Sequence, residues 1–375
     1  MDAYRCTNCH RPYPDDAFPH RCLHCGGIFS VAEAITYVEP DESASGIWRY
    51  AASFGLDLEA LPVTLGEGAT PLVKARAFDK DVYFKLEFLN PSGSFKDRAT
   101  APLITEIKSR GIERAVEDSS GNAGASFAAY AARASMEAKV FVPESASGPK
   151  LEQIRAYGAH LEAVPGPRSA AAEAVLQATE NGTAYASHAY LPFGLPGLAT
   201  IAYEIYVELG EAPSTLLSPT GHGSLLLGAA MGFEALRAAG KIEKLPYLVA
   251  AQAAACAPLW VMANLGPSGL GAVQEGETLA EGVGVRNPLR GDELLARLQP
   301  GAGQIRIVEE DRILLARNAL AALGFYVETT SAIVWDALQQ VVGEIPEPIV
   351  VILTGSGLKN SSAINSNHQD GELDA

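Results

Sequence analysis

The sequence predicts an α/β protein of two packed domains with a small cysteine-rich head, and three observations carry that expectation. From about Asp81 onward, short β-rich runs alternate with Ala-rich helical ones, the pattern of a parallel sheet covered by helices on both faces. With 375 residues, 48% of them apolar, the chain can bury a sizeable core. Four of the five cysteines are crowded into the first 25 residues while Cys256 stands alone, whereas a disulfide framework would spread its bridges through the chain.

Residues 1–40 form the head, which is too small to fold on a core of its own. Cys6 and Cys9, then Cys22 and Cys25, make two C-x2-C pairs separated by twelve residues. Four thiolates in that spacing can hold one tetrahedral Zn²⁺, which would replace the missing core as a structural ion. Cys6-Thr7-Asn8-Cys9-His10 also matches the haem-attachment pattern C-x-x-C-H, but that chemistry needs export, and Met1-Asp2-Ala3-Tyr4-Arg5 lacks the start of a signal peptide. A ribbon held without metal, by contacts to the body, is the other reading.

Strands are expected at Val82 to Phe88, Lys139 to Pro143, Leu216 to Pro219, Tyr247 to Ala250 and Ile349 to Leu353. Helices are expected at Ser126 to Ala134, Ser169 to Glu180, Leu225 to Ala239 and Arg312 to Leu323, each apolar at helical spacing. The stretch from about Asn360 is polar and expected to fray. A formal net charge of −16 repels phosphate backbones, which argues against a nucleic-acid partner. No apolar run approaches the roughly 18 residues of a membrane span, so a cytoplasmic protein is expected.

Four loops follow predicted strands and precede helices or the chain's end, the edge of an open α/β sheet where ligands bind. Asn90 to Arg98 carries Lys96 between a Gly-Ser turn and a helix start, where partial desolvation favours the neutral, imine-forming amine. A solvated lysine in a helix's first turn would look the same. Ser119-Ser120-Gly121-Asn122-Ala123-Gly124 can bring backbone N–H groups to an anion, and Asn122 can donate to a phenolate-like oxygen, although an ordinary turn also reads this way. Thr220-Gly221-His222-Gly223-Ser224-Leu225 can cradle a phosphate at a helix N-terminus. Thr354 to Lys359 offers a hydroxyl for a ring nitrogen.

Together these loops resemble the fold type II pyridoxal-5′-phosphate (PLP) enzymes, and within them the threonine-synthase-like family. The likeness runs from the head through Gly66-Glu67-Gly68-Ala69-Thr70-Pro71-Leu72 to Thr354-Gly355-Ser356-Gly357-Leu358-Lys359 and so covers nearly the whole chain. It implies two open α/β domains with a cofactor cleft between them: a large one from 41–97 and 191–360, a small mobile one from 98–190, and a flexible tail, 361–375. It implies Lys96 as the Schiff-base lysine and general base, Asn122 beside the cofactor's 3′ oxygen, and Gly221, His222, Gly223, Ser224 and Leu225 around its 5′-phosphate. Thr354 would sit at the pyridine nitrogen, and Ser119, Ser120, Gly121, Asn122 and Ala123 would receive the substrate carboxylate. The implied activity is a PLP-dependent lyase reaction on a small amino acid, by elimination or replacement at Cβ or Cγ, in a homodimer.

Two other readings stay open: a serine/threonine-type ammonia-lyase, and a non-catalytic binding protein built on the head. The family grips the phosphate of O-phosphohomoserine with a stretch reading roughly Asn-Ser-x-Asn-Pro-x-Arg-x-x-Gly-x-Lys-Thr. Aligned on Gly197 to Thr200, it places Leu191, Gly194 and Ala199 where Asn, Arg and Lys belong. If those positions face the substrate's distal end, its pocket is less positive and an unphosphorylated amino acid is preferred. His188, Lys150 and Arg155 are then the candidate replacement cations.

Overall fold

The computed structural model describes residues 3–56, 62–166, 168–179, 183–273 and 276–360. The expected tail, 361–375, lies outside the described residues. β1 (Tyr4–Cys6) and β2 (Phe29–Val31) form an antiparallel pair in the head. β3 (Leu72–Ala77), β4 (Lys80–Leu86) and α1 (Lys96–Ser109) follow. Next come β5 (Arg114–Glu117), α2 (Asn122–Arg133), β6 (Glu137–Pro143), α3 (Pro149–Ala156), β7 (His160–Val164), α4 (Arg168–Thr179) and β8 (Ala184–Tyr185). The remainder holds α5 (Leu195–Leu209), β9 (Thr215–Pro219), α6 (Ser224–Ala238), β10 (Tyr247–Ala253), α7 (Pro258–Leu265), α8 (Gly291–Leu295), β11 (Gly303–Val308), α9 (Glu310–Ala322), α10 (Thr329–Val341) and β12 (Ile349–Leu353).

Two separate sheets organise the body. The first has the order β11-β10-β9-β12-β4-β3 and the second β7-β6-β5-β8. All pairings are parallel except β3 with β4, a hairpin turned by Phe78 and Asp79, both at positive φ. The last strand is inserted at the centre: Ile349 pairs with Val82 on one side and Thr215 on the other. All five residues of β12 are buried, as its unbroken apolar run Ile-Val-Val-Ile-Leu requires of a strand covered on both faces. No described helix is long and apolar enough to cross a membrane.

Several expected elements shift by two to four residues, two of them for evident local reasons. The strand expected to Phe88 ends at Leu86, because Glu87 turns inward into a short 3-10 segment and its carboxylate takes Arg98 at 2.7 and 2.8 Å. The helix expected from Ser126 begins at Asn122, where Gly124 fits against the Ser119 carbonyl; a Cβ there would stand 1.9 Å from that oxygen. Small residues also let helices close up on one another. Gly194 lies against Ala99, and Gly232 of α6 against the Ala199 carbonyl of α5.

Candidate active site

The ends of β4, β5, β9 and β12 open on one crevice, the place where an open α/β sheet binds ligands. Its volume is about 840 Å³, and Lys96, the Ser119 to Ala123 loop, the Gly221 to Leu225 loop and Thr354 all line it. The geometry thus brings together the cofactor residues and the substrate-carboxylate loop read from the sequence.

Lys96 opens α1, and its backbone is pinned to the large sheet. Phe95 N donates to Thr354 O at 3.0 Å, and Ser356 N donates to Gly93 O at 3.0 Å. Lys96 Nζ lies 2.6 Å from His188 Nε2 and 4.6 Å from the centroid of the Phe95 ring. An amine beside an imidazole and an aromatic face is partly desolvated and close to a proton acceptor, the setting of a nucleophilic or basic lysine.

Around it, three buried polar atoms have no hydrogen-bond partner among the described residues: Thr354 Oγ1, Ser224 Oγ and Asn122 Oδ1. Each costs about 1–3 kcal/mol when left unpaired, so three on one cavity mark where a polar ligand belongs. Gly223, at φ +93, turns the chain into α6, whose first intrahelical bond runs from Leu227 N to Gly223 O. The Ser224, Leu225 and Leu226 amides therefore precede the helical ladder and face an anion with the helix dipole behind them. On the opposite wall, Ser119 Oγ accepts from Gly121 N at 3.1 Å, and the Glu117 carboxylate accepts from Ser119 N. This set, an amine, a phosphate cradle and a lone hydroxyl, fits PLP, while the Asn122 Nδ2 expected to donate to its 3′ oxygen is turned to Glu328 here.

Sequence reading missed Glu328. It precedes α10, is 2% exposed, and both of its carboxylate oxygens accept from Asn122 Nδ2, at 2.8 and 2.9 Å. Lys150 Nζ of α3 reaches the same carboxylate at 3.2 Å. Burial alone would lower Lys150, but Glu328 and Glu281 outweigh it and hold its pKa above the ordinary lysine value. Nothing local flags Glu328, because it reads as the ordinary acidic residue that starts a helix. Its signal is long-range: Gly355 has no side chain, and a Cβ there would sit 2.2 Å from Glu328 Oε1.

The substrate-phosphate alignment needs correction. Leu191, Gly194 and Ala199 do not line the cavity. Leu191 and Ala199 are core residues, and a Cβ at Gly194 would stand 2.8 Å from the Ala99 carbonyl oxygen, with no room for an arginine. Their identity leaves the cavity's charge unchanged. His188 and Lys150 do line it, while Arg155 is exposed elsewhere.

In the head, the sulfurs of Cys6, Cys9, Cys22 and Cys25 all lie within 4.8 Å of one another. Cys6 Sγ to Cys25 Sγ is 3.4 Å and Cys9 Sγ to Cys22 Sγ is 3.6 Å, far too long for disulfides and close to the edge of a tetrahedron drawn at about 2.3 Å from a central zinc. His10 N to Cys6 O and Gly26 N to Cys22 O close the two knuckle turns. The head is also docked. Arg110 lies over the rings of Tyr13, Phe18 and Phe193, and the buried Arg290 donates to Phe29 O at 2.7 Å.

Residues 63–355 match the family described as "Pyridoxal-phosphate dependent enzyme", and the chain belongs to that class. Its solved structural neighbours include a maize serine racemase (TM-score 0.68, 20% identity, 80% of this chain and 91% of that one) and a T.th. threonine deaminase (TM-score 0.63, 23% identity, 81% and 94%), which share the fold type II architecture. Among curated proteins, the chain is 30% identical to a threonine synthase of Methanocaldococcus jannaschii over 96% of this chain and 93% of that one. It is 34% identical to one of Synechocystis over 88% of each. Within the fold type II enzymes it is a member of the threonine-synthase-like family.

Proposed function

We propose that this enzyme binds PLP covalently through Lys96 and catalyses elimination or replacement at Cβ or Cγ of a small amino acid. The observation that carries the reading is the ring of unpartnered buried atoms, Thr354 Oγ1, Ser224 Oγ and Asn122 Oδ1, around the Lys96 amine. When bound, the cofactor supplies an electron sink for the substrate's α-carbon. Lys96 takes the α-proton as general base, with His188 at 2.6 Å able to share it. The amides of Gly223 to Leu225 hold the phosphate, and the loop Ser119 to Ala123 receives the substrate carboxylate. The Thr354 hydroxyl cannot keep a pyridine nitrogen protonated as a carboxylate would, which favours elimination and replacement over amino-group transfer.

The segment 98–190 acts as the small mobile unit, with Glu328 as its latch: Asn122 and Lys150 come from that segment, and Glu328 comes from the other. Closing it excludes water from the reacting atoms. The curated relatives named above, at 30% and 34% identity, are threonine synthases, while the deaminase and racemase likenesses lie at the level of fold, so the ammonia-lyase reading is the weaker one. Borohydride reduction of the yellow protein, followed by peptide mapping, should place the label on Lys96. A label on another lysine, or none, overturns the assignment.

The four cysteines hold one structural Zn²⁺, since four thiolates leave no open position for water or substrate. Elemental analysis should find one zinc per chain, and its removal by chelator should lower the melting temperature. A homodimer, as the family resemblance implies, belongs to the same reading and is checked by light scattering.

A further inference from the structure

The cysteine head does more than dock: it delivers a side chain into the cavity. Arg21, next to Cys22, is among the lining residues, on the same cavity as Lys96 and Ser119 to Ala123. Its position is built by neighbours. The guanidinium carbon sits 4.8 Å from the centroid of the Tyr190 ring, and Nη1 donates to the Gly26 carbonyl at 2.9 Å. Tyr190 is itself held by Arg290, whose Nη2 donates to its carbonyl at 3.1 Å, and His20 packs edge-on against Tyr185 and Tyr190 at 5.5 and 5.4 Å. Among the described residues no carboxylate pairs with Arg21, in a chain of net charge −16.

The buried and half-buried acids of the cavity are already committed. Glu328 is held by Asn122 and Lys150, Asp118 accepts from Tyr185 Oη at 2.6 Å, and Glu117 accepts from Ser119 N. A stacked guanidinium with an open edge is a ready fork for an anion. The position aligned with the family's arginine, Gly194, cannot supply one.

We propose that Arg21 is the specificity-determining cation for an anionic leaving group at the distal end of the substrate, so that the head forms part of the substrate site. This rests on the cavity being the amino-acid site. Arg286 also lines the cavity, is exposed and can add a second, weaker contact.

The test compares kcat/KM for an amino acid carrying a distal phosphate ester with that for the same amino acid carrying a neutral acetyl ester, and measures inhibition by inorganic phosphate. Arg21→Leu should lower the phosphate-to-acetyl preference about 10- to 100-fold, the factor that losing a hydrogen-bonded charge contact produces, and weaken phosphate inhibition in parallel. An unchanged preference, or an equal loss on both esters, overturns the proposal, the second result assigning Arg21 to the architecture of the head. If Arg21→Leu does not fold, Arg21→Lys carries the test, because it keeps the charge and stem and loses the fork; unchanged phosphate inhibition in that variant sinks the idea. The borohydride label separates the two readings. A labelled Lys96 with an indifferent Arg21 refutes only the Arg21 assignment, whereas an unlabelled Lys96 refutes the cofactor site.

Discussion

Lys85 and Lys96 leave neighbouring stretches of chain for opposite surroundings. Lys85 is fully buried in β4, where its amine meets Glu204 at 2.9 Å, Glu208 at 2.5 Å and the Thr70 carbonyl at 2.5 Å. Beside it, Arg98 is shared between Glu87 and Glu204, with Thr70 and Thr200 taking further hydrogens. Burial would raise Glu204, but Arg98 and Lys85 hold it down to about 2. In this knot each charge meets its opposite. Lys96 instead faces His188, and the polar atoms across the cavity from it are orphaned. Matched buried charge marks architecture, and unmatched polar atoms mark the place of a ligand.

The widest gap between the two regions should appear when their cations are removed. Lys96→Ala should cut turnover by about 10²- to 10⁴-fold, as loss of a general base does, while leaving the urea midpoint where it is. Loss of folding in that variant would break the contrast. Arg98→Met should do the reverse: stranding Glu87 and leaving Glu204 with Lys85 alone costs about 3–5 kcal/mol, read as a lower urea midpoint. Wild-type stability would show that the knot is dispensable.

A smaller effect sits on the residue between them. Burial pushes the Asp97 carboxyl up to about 6, against hydrogen bonds from Ser126 and Ser92 that pull it down. The folded state therefore keeps a proton that the unfolded chain gives up near its ordinary value. The contribution is fully present below that value and is lost as pH rises through about 6, a fall of about 2–3 kcal/mol. Asp97→Asn should flatten the stability profile from pH 4 to 7, measured by urea titration, and an unchanged slope would assign the effect elsewhere. Smallest is Thr354→Ala, which should weaken cofactor affinity by about 0.5–1.5 kcal/mol in a direct titration and leave folding alone. No change at all would move the ring-nitrogen role to another group.

The parallel strands were legible because they are buried on both faces and so read as continuous apolar runs. Ile349 to Leu353 is β12 to the residue, and Leu216 to Pro219 lies within β9. The helices expected from Ser169, Leu225 and Arg312 match α4, α6 and α9 within two residues at each end. The loop residues were legible because Gly, Ser and Asn at strand ends have few other uses. What escaped were residues whose role is set by contacts across the fold. Glu328 matters through Asn122 and Lys150, which are far from it in sequence. Arg21 matters because Tyr190 holds it, and beside Cys22 it reads as part of a metal knuckle. The misplaced phosphate stretch failed for a related reason: aligned letters at Leu191, Gly194 and Ala199 carry no information about which way the turn before α5, or α5 itself, faces them.

The central placement of β12 also bears on how the chain is made. The four-stranded sheet is contiguous and has all its strands once Tyr185 is synthesised, whereas β4 must wait for β12, which follows every other described strand in the chain. Until then one edge of β4 is covered by β3 and the other is open. Thr354 follows every other lining residue of the cavity in chain order, so a nascent chain can assemble the small sheet early yet cannot close the large sheet around the cofactor until β12 has emerged.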